Sequence, residues 1–416
     1  MSGNYRIMRM SRNAYHSVFD DMLRQDTNLA EAGFAKQMEA FFAKSLIYSD
    51  SFSRAMDGLG NETLEIVCNG ELMQKTWAAT HGVTYDEDDW VRQIMWAQVE
   101  EFRPDVVFIQ GLTSNSTGFL PENGFREKFP FVRAVVGFAG YFHPADRLEG
   151  VDVVISGLPS VFNYYRAENV PTELIYHGFD ASLVERVPEP TGDMIDLSFI
   201  GSTGLGYGEN HAVRYWELLE LCCGSDIQLW ANEKFDADQL AMSGEQLAGL
   251  GQSLRGMVGQ HTPAAVVEVF RESISSSSGT HLPVLPLSLI FPDRVHEAIY
   301  GLEMYATLRQ SRLTLNRHFD PDSGIREIGN MRTFEATGIG TCMLVNEGDN
   351  VRDLYEPDTE IVTYASVEEC LEKANWLLQN DEKRREIAAA GQKRTLRDHT
   401  IASRCAVIDG LIRGMI

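Results

Sequence analysis

Short runs of apolar residues recur along this chain, each followed by a polar loop and then by a stretch with helical spacing. Asp105 to Gln110 (DVVFIQ) is the clearest, an unbroken apolar centre between polar ends, as expected of a parallel strand buried on both faces. Leu64–Cys68, Val132–Phe138, Val151–Ser156 (VDVVIS) and Leu174–Asp180 (LIYHGFD) extend the series in the first half. Ile195–Ile200, Asp226–Ala231, Leu313–Asn316, Thr341–Val345 and Glu360–Thr363 continue it in the second. Helical spacing predicts helices at Leu72–Ala79, His211–Leu221, Val295–Arg309, Val367–Leu378, Asp381–Ala390 and Ile401–Arg413. Residues 1 to about 60 read as amphipathic helix, with Phe19, Met22, Leu23 and then Phe41, Phe42, Leu46 forming a packing layer over the first sheet. Ala241 to Pro292 reads less clearly, as two helical segments, a Ser-rich loop and a Pro-interrupted apolar run. Strands alternating with helices imply an α/β fold with parallel sheets. A Pro- and Gly-rich linker, Val187–Gly192 (VPEPTG), divides the chain, whose 416 residues are enough for two full cores.

The polar loops carry the chemistry. Between the strands Leu313–Asn316 and Thr341–Val345 lie a loop with Gly324 and Gly329, then a short helix, Met331–Thr337, stopped by Gly338 and Gly340. Strand, loop and helix in that order put the helix start at the carboxyl edge of a parallel sheet, where open α/β sheets bind ligands. Asn330 is a good N-cap, and the backbone N–H groups behind Met331 and Arg332 suit an anion. Arg332 in the first turn opposes the helix dipole by a few tenths to ~1 kcal/mol. A bound phosphate would explain that placement, and so would an ion pair with Glu335 or Glu327. Glu327 and Glu335 are eight positions apart, about 80° off a common face on a continuous helix. With Glu327 in the loop, both still approach a ligand lying over the helix start.

Gly201–Gly208 (GSTGLGYG) also follows a strand and precedes a helix, so Gly201, Ser202 and Gly204 are candidates for approach to a diphosphate. The spacing departs from the dinucleotide fingerprint, and no acidic residue stands ~20 positions on at a strand end; a hinge-side loop is the other reading. His211 and Arg214, one turn apart, add positive charge there. His143, in GYFHP just past a strand, has the chemistry of a general base near neutral pH or of a sugar ligand, or else is a loop histidine bonded to backbone. His177 and His318 stand at similar strand ends, and His399 reads as structural. Three Asp-x-Asp triplets, Asp86–Asp88, Asp236–Asp238 and Asp320–Asp322, have the form of a divalent-cation ligand. Only the last follows a strand, and an acidic chain produces such triplets by chance.

The net charge of −24 argues against nucleic acid and anionic membrane surfaces as partners. Any anion site must therefore be made locally, which gives weight to the few arginines near glycine loops. Six cysteines, none in a C-x-x-C pair, read as buried thiols of a cytoplasmic protein. The first residues lack a signal-peptide core, and no run reaches transmembrane length. Zinc spacing, a Walker loop and a G-x-S-x-G elbow are missing from the sequence.

The Glu327–x7–Glu335 pattern, NMRTFEATGIGT (Asn330–Thr341) and LNRH (Leu315–His318) together resemble the donor site of GT-B glycosyltransferases. The likeness is in particular to the spore-maturation CgeB-like branch of the glycosyl-transferase group 1 superfamily. It extends through GLEMYATLRQS (Gly301–Ser311) and AAAGQKRTLRDHT (Ala388–Thr400), covering about half of the chain well and the first half loosely. The resemblance implies two Rossmann-like domains facing across a cleft. Residues 1–188 would form the acceptor side and 189–399 the donor domain, with 400–416 crossing back onto the first domain. It implies transfer of a sugar from a nucleotide-diphosphate sugar to a hydroxyl of a glycan, peptide or small molecule, without a metal or other cofactor, and with retention. Glu335 would hold the ribose and Glu327 would approach the donor sugar. Arg332 and the glycines would stabilise the diphosphate. Asn316, His318, Asn330, Met331 and Arg214 complete the expected donor site, and His143 the catalytic set. An epimerase-like enzyme and a noncatalytic nucleotide-sugar-binding subunit are the alternatives on the same fold.

Overall fold

The structure, a computed structural model, describes residues 4–12, 17–46, 49–112, 124–144, 148, 150–206, 209–235, 243–275, 284–318 and 325–416. Its described strands form two six-stranded sheets, parallel throughout. One unit comprises Met1–Ala181 with Asp398–Ile416, the other Ser182–Arg397.

Unit 1 contains β1 (Arg6–Ser11), β2 (Glu62–Val67), β3 (Val106–Gln110), β4 (Ala134–Phe138), β5 (Val153–Ser156) and β6 (Thr172–Leu174), in the order β2-β1-β3-β4-β5-β6. The first strand corrects the sequence reading, which gave residues 1 to about 60 entirely to helix. RIMRMS looks helical because Arg and Met are good helix formers and two arginines interrupt the apolar run. What makes it an interior strand is a partner 56 positions away. Arg9 faces Glu65 across the β1–β2 register and pairs with it at 2.8 Å, both side chains buried. Arg9 also donates to Ser49 O and to Gln110 Oε1, which offsets the cost of burying its charge.

The helix Ile401–Met415 belongs to this unit. Its Cys405, Ile408 and Ile412 are buried with Ile7, Phe108 and Val136 in one apolar cluster. The chain enters it beside Phe179, which donates to His399 O and accepts from Ile401 N at 2.8 and 2.9 Å. Gly178 permits that approach, since a Cβ there would lie 2.8 Å from the Thr400 backbone. LIYHGFD is accordingly strand only to Leu174, and its second half serves this junction.

Unit 2 contains β7 (Ile195–Ser202), β8 (Gln228–Asn232), β9 (Val295–His296), β10 (Ser311–Asn316), β11 (Cys342–Asn346) and β12 (Val362–Tyr364), in the order β12-β11-β10-β7-β8-β9. Leu197, Phe199, Leu229, Leu313 and Leu344 supply its apolar sheet core. The helix expected over Val295–Arg309 is divided. Val295 and His296 pair with Leu229 and Trp230 as an edge strand, and the helix runs Gly301–Gln310 after a turn with Gly301 at φ +58°. The chain leaves β7 for β8 and β9 on one side and returns to β10 on the other. The gap between the ends of β7 and β10 is therefore a topological switch point, the place where doubly wound sheets hold ligands.

Candidate functional site

Three segments meet at that switch point. The end of β7 brings Gly201 and Ser202, the end of β10 brings Asn316, and the helix Met331–Ile339 points its first turn at both. Asn330 is the N-cap, and its side chain accepts from Thr333 N. Asn316 and Asn330 exchange two amide hydrogen bonds at 2.9 Å, and Asn316 also donates to Thr333 Oγ1. The helix start is thus fixed to the strand end, with the N–H groups of Met331 and Arg332 ahead of the first intrahelical bond. The helix passes through Gly338 and ends only where Gly340 turns left-handed, at φ +91°.

The loop ahead of this helix is held from behind. His318 is buried, and its Nε2 accepts from Gly329 N at 2.9 Å and Asn330 N at 2.7 Å. A nitrogen that accepts two N–H groups carries no proton, so the imidazole is neutral with its hydrogen on Nδ1. His318 N donates to Asn346 Oδ1, and Asn350 brackets the Ile328 peptide, accepting from its N–H and donating to its C=O. Glu327 sits half-buried in this braced loop. Asn346 and Asn350 did not figure in the sequence reading; two amides just past a strand were the available signal.

Arg332 lies inward, its side chain only 14% exposed. It donates to Glu335 Oε2 at 2.8 Å and to Ile200 O on β7 at 3.3 Å. The i,i+3 ion pair weighed from the sequence is therefore made. Glu335 is buried, and its other oxygen accepts from Tyr305 OH at 3.3 Å. A carboxylate has about four lone-pair positions, so these two contacts leave capacity on Glu335 for hydroxyl donors.

In the glycine loop, Gly204 and Gly206 adopt φ of +94° and +74°. A Cβ on Gly204 would come 2.1 Å from His211 O, and one on Gly206 2.4 Å from Lys234 O, so both glycines let the loop fold tightly on its neighbours. Arg214 reaches back to the end of β7, donating to Ser202 Oγ at 3.1 Å and Ser202 O at 3.3 Å. Burial and the nearby Arg214 and Lys234 cations push His211 below the usual imidazole range.

His143 lies in unit 1, just past β4. Tyr165, fully buried on the helix Pro159–Ala167, accepts from His143 N at 3.1 Å and donates to Tyr141 O at 3.0 Å. This clamp fixes the backbone that presents His143. The ring nitrogen Nε2 is buried and has no hydrogen-bond partner among the described residues. His177 packs against Phe138 at 4.8 Å, and His399 binds Arg404, both within unit 1. Asp320–Asp322 and Asp236–Asp238 lie outside the described residues, as do Tyr207 and Gly208 of the glycine loop. Among the described residues no three His, Cys, Asp or Glu gather as metal ligands, and no helix is long and apolar enough to cross a membrane.

Residues 276–409, which include the braced loop and the helix start, match the family of glycosyl transferase-like proteins. Solved structures align over nearly the whole chain. Sucrose-phosphate synthase from Thermosynechococcus elongatus does so with a TM-score of 0.55 at 10% identity, covering 99% of each chain. HepE from Anabaena, in complex with UDP-glucose, gives 0.53 at 11% identity, with 99% of this chain and 100% of that one covered. The fold is GT-B. A glycosyltransferase from Rickettsia africae aligns similarly, with a TM-score of 0.52 at 8% identity over 100% and 99% of the two chains. No curated protein sequence matches the chain. In this GT-B protein the matched segment carries Asn316, Asn330 and Arg332 of the switch point of unit 2, while Gly201 and Ser202 precede it.

Proposed function

We propose that this protein transfers a sugar from a nucleoside-diphosphate sugar to a hydroxyl of a glycan, peptide or small molecule, as a member of the CgeB-like branch. The observation that carries the reading is the helix start Asn330–Arg332 at the switch point of unit 2, inside the glycosyl transferase-like segment. There the N–H groups of Met331 and Arg332, with the positive helix end, receive the diphosphate. Glu335 takes the ribose hydroxyls with the lone pairs left by Tyr305 and Arg332. Gly201, Ser202 and Gly204 carry the opposite wall, steadied by Arg214. Glu327 stands toward the donor sugar, and His143 handles a proton in the transfer. Fixed N–H dipoles stabilise the leaving diphosphate without a metal, and configuration at the anomeric carbon is retained.

The test begins with titration of UDP, GDP, ADP and dTDP in excess EDTA, UDP first because HepE was solved with UDP-glucose. The matching nucleotide sugar is then incubated with an acceptor panel and sugar transfer is followed by mass. Saturable binding in chelator and a mass gain on a hydroxyl acceptor are expected. Loss of binding in EDTA, reproduced by Asp320→Ala, would establish a metal-dependent site instead. Isomerised donor without acceptor would make the protein an epimerase, and binding without turnover across the panel a binding subunit.

A further inference from the structure

The segment Gly140–Pro144 (GYFHP) leaves β4 at the carboxyl end of a parallel strand, the edge along which open α/β sheets bind ligands. The fold treats its two aromatic residues differently. Phe142 is half-buried and packs T-shaped against Tyr164, ring centroids 5.2 Å apart, and Tyr164 packs in the same way against the fully buried Tyr165. Tyr141 remains 53% exposed. Its exposure is not looseness. Tyr165 OH donates to Tyr141 O at 3.0 Å and accepts from His143 N at 3.1 Å, so the backbone on both sides of Phe142 is tied to one buried hydroxyl. A large ring on an anchored backbone, with only two side-chain torsions, loses little freedom when a ligand covers it.

The neighbour of this ring and its open side point to the kind of ligand. Two residues of chain span at most ~7 Å, so Tyr141 stands within that reach of His143, which is itself partly exposed. Glycosyl transfer as proposed above brings the acceptor hydroxyl to His143, and the body of the same acceptor then lies over or beside Tyr141. A molecule stacked on a ring that is open to solvent keeps its outer face in water. A pyranose suits that arrangement. Its axial C–H groups meet the electron-rich face of the tyrosine ring, and the hydroxyls around its rim stay hydrated. A flat apolar ring would leave its outer face wet, and the side chain of a peptide serine or threonine has no ring to stack.

We infer that Tyr141 is a stacking platform for a pyranose ring, the acceptor being a saccharide; the acceptor role rests on the glycosyl-transfer reading. Saturation-transfer NMR of the full chain tests the platform without a donor. The probes are methyl β-D-glucopyranoside, methyl β-D-galactopyranoside, methyl α-D-mannopyranoside and methyl α-L-rhamnopyranoside, with phenol and N-acetylserinamide as the competing acceptor types. At least one glycoside should take up saturation, strongest at its ring C–H protons. Tyr141→Ala should lower the affinity for that glycoside roughly two- to tenfold, the scale of one aromatic stack, and Tyr141→Phe and Tyr141→Trp should keep it. With a donor that the protein turns over, Tyr141→Ala should raise the acceptor KM by a like factor while kcat falls far less, the opposite split from His143→Ala. No saturation of any glycoside, wild-type affinity in Tyr141→Ala, an equal loss in Tyr141→Phe, or stronger binding of phenol or N-acetylserinamide would each overturn the inference. Glycoside binding that depends on Tyr141, without transfer from any nucleoside-diphosphate sugar, would uphold the platform and overturn glycosyl transfer instead.

Discussion

His318 Nε2 accepts the backbone N–H of Asn330 at 2.7 Å, so a buried histidine on the exit of β10 sets the N-cap of the helix that faces the switch point. Its second contact, to Gly329 N, makes the imidazole a two-point brace for the loop carrying Glu327.

The first prediction concerns that brace. His318→Ala leaves two buried N–H groups without their acceptor, each worth about 1–3 kcal/mol, and should lower stability and loosen nucleotide binding together. His318→Gln, whose carbonyl oxygen can accept at a similar reach, should recover a good part of both. Thermal unfolding and calorimetry of the two variants with the nucleoside diphosphate found to bind will show it. A His318→Ala protein with wild-type midpoint and affinity would remove the brace from the account.

Arg332 and Glu335 form one ion pair but are proposed to serve different parts of the donor. Glu335→Ala should weaken nucleoside and nucleoside diphosphate alike, by about 1.5–3 kcal/mol, because both carry the ribose. Arg332→Ala should weaken the diphosphate chiefly, and the effect should depend little on salt because the side chain is only 14% exposed. Because the two side chains pair at 2.8 Å, the double variant should lose less than the sum of the singles. Equal losses on both ligands for Arg332→Ala would mean that the arginine only holds Glu335 in place.

For the transfer step, His143→Ala should reduce turnover by about 10²–10⁴-fold, the usual scale of general acid–base catalysis. Nucleotide affinity should hardly change, because the nucleotide is assigned to unit 2. Tyr165→Phe removes the hydroxyl that clamps the backbone at Tyr141 and His143 and should lower turnover less. Steady-state kinetics with a matched nucleotide titration separates these effects. Unchanged turnover in His143→Ala would return this residue to a loop role.

His177 supplies a pH dependence of stability. Burial, with Arg404 nearby, pushes it down to about 4 from an ordinary 6.5. Its neutral form is favoured in the folded chain, so its contribution is complete above about pH 6.5 and is lost as pH falls toward 4. His177→Gln should flatten that part of the stability curve relative to wild type, by up to about 2–3 kcal/mol between pH 7 and 4. Urea unfolding of both proteins across this range is the measurement, and parallel curves would show that His177 does not titrate there.

What the sequence settled by itself is what depends on neighbouring positions. Apolar runs such as DVVFIQ have one stable placement, buried in a parallel sheet, and the alternation of such runs with helical spacing fixed the α/β class. Asn330 as an N-cap was equally legible, because capping is a bond between residues three positions apart. The tertiary structure decided whatever depends on distant partners. β1 is a strand because Glu65 neutralises Arg9 in the interior, and β9 is a strand because β8 offers it an edge. His318 looked like a site residue and sits buried as a brace, since Gly329 and Asn330 come within reach of its ring only when the loop closes. Arg332 had two readings that local spacing left open. The choice of Glu335 and Ile200 O as its partners was made by packing, which brings the β7 carbonyl to the helix start and leaves its guanidinium little water to face.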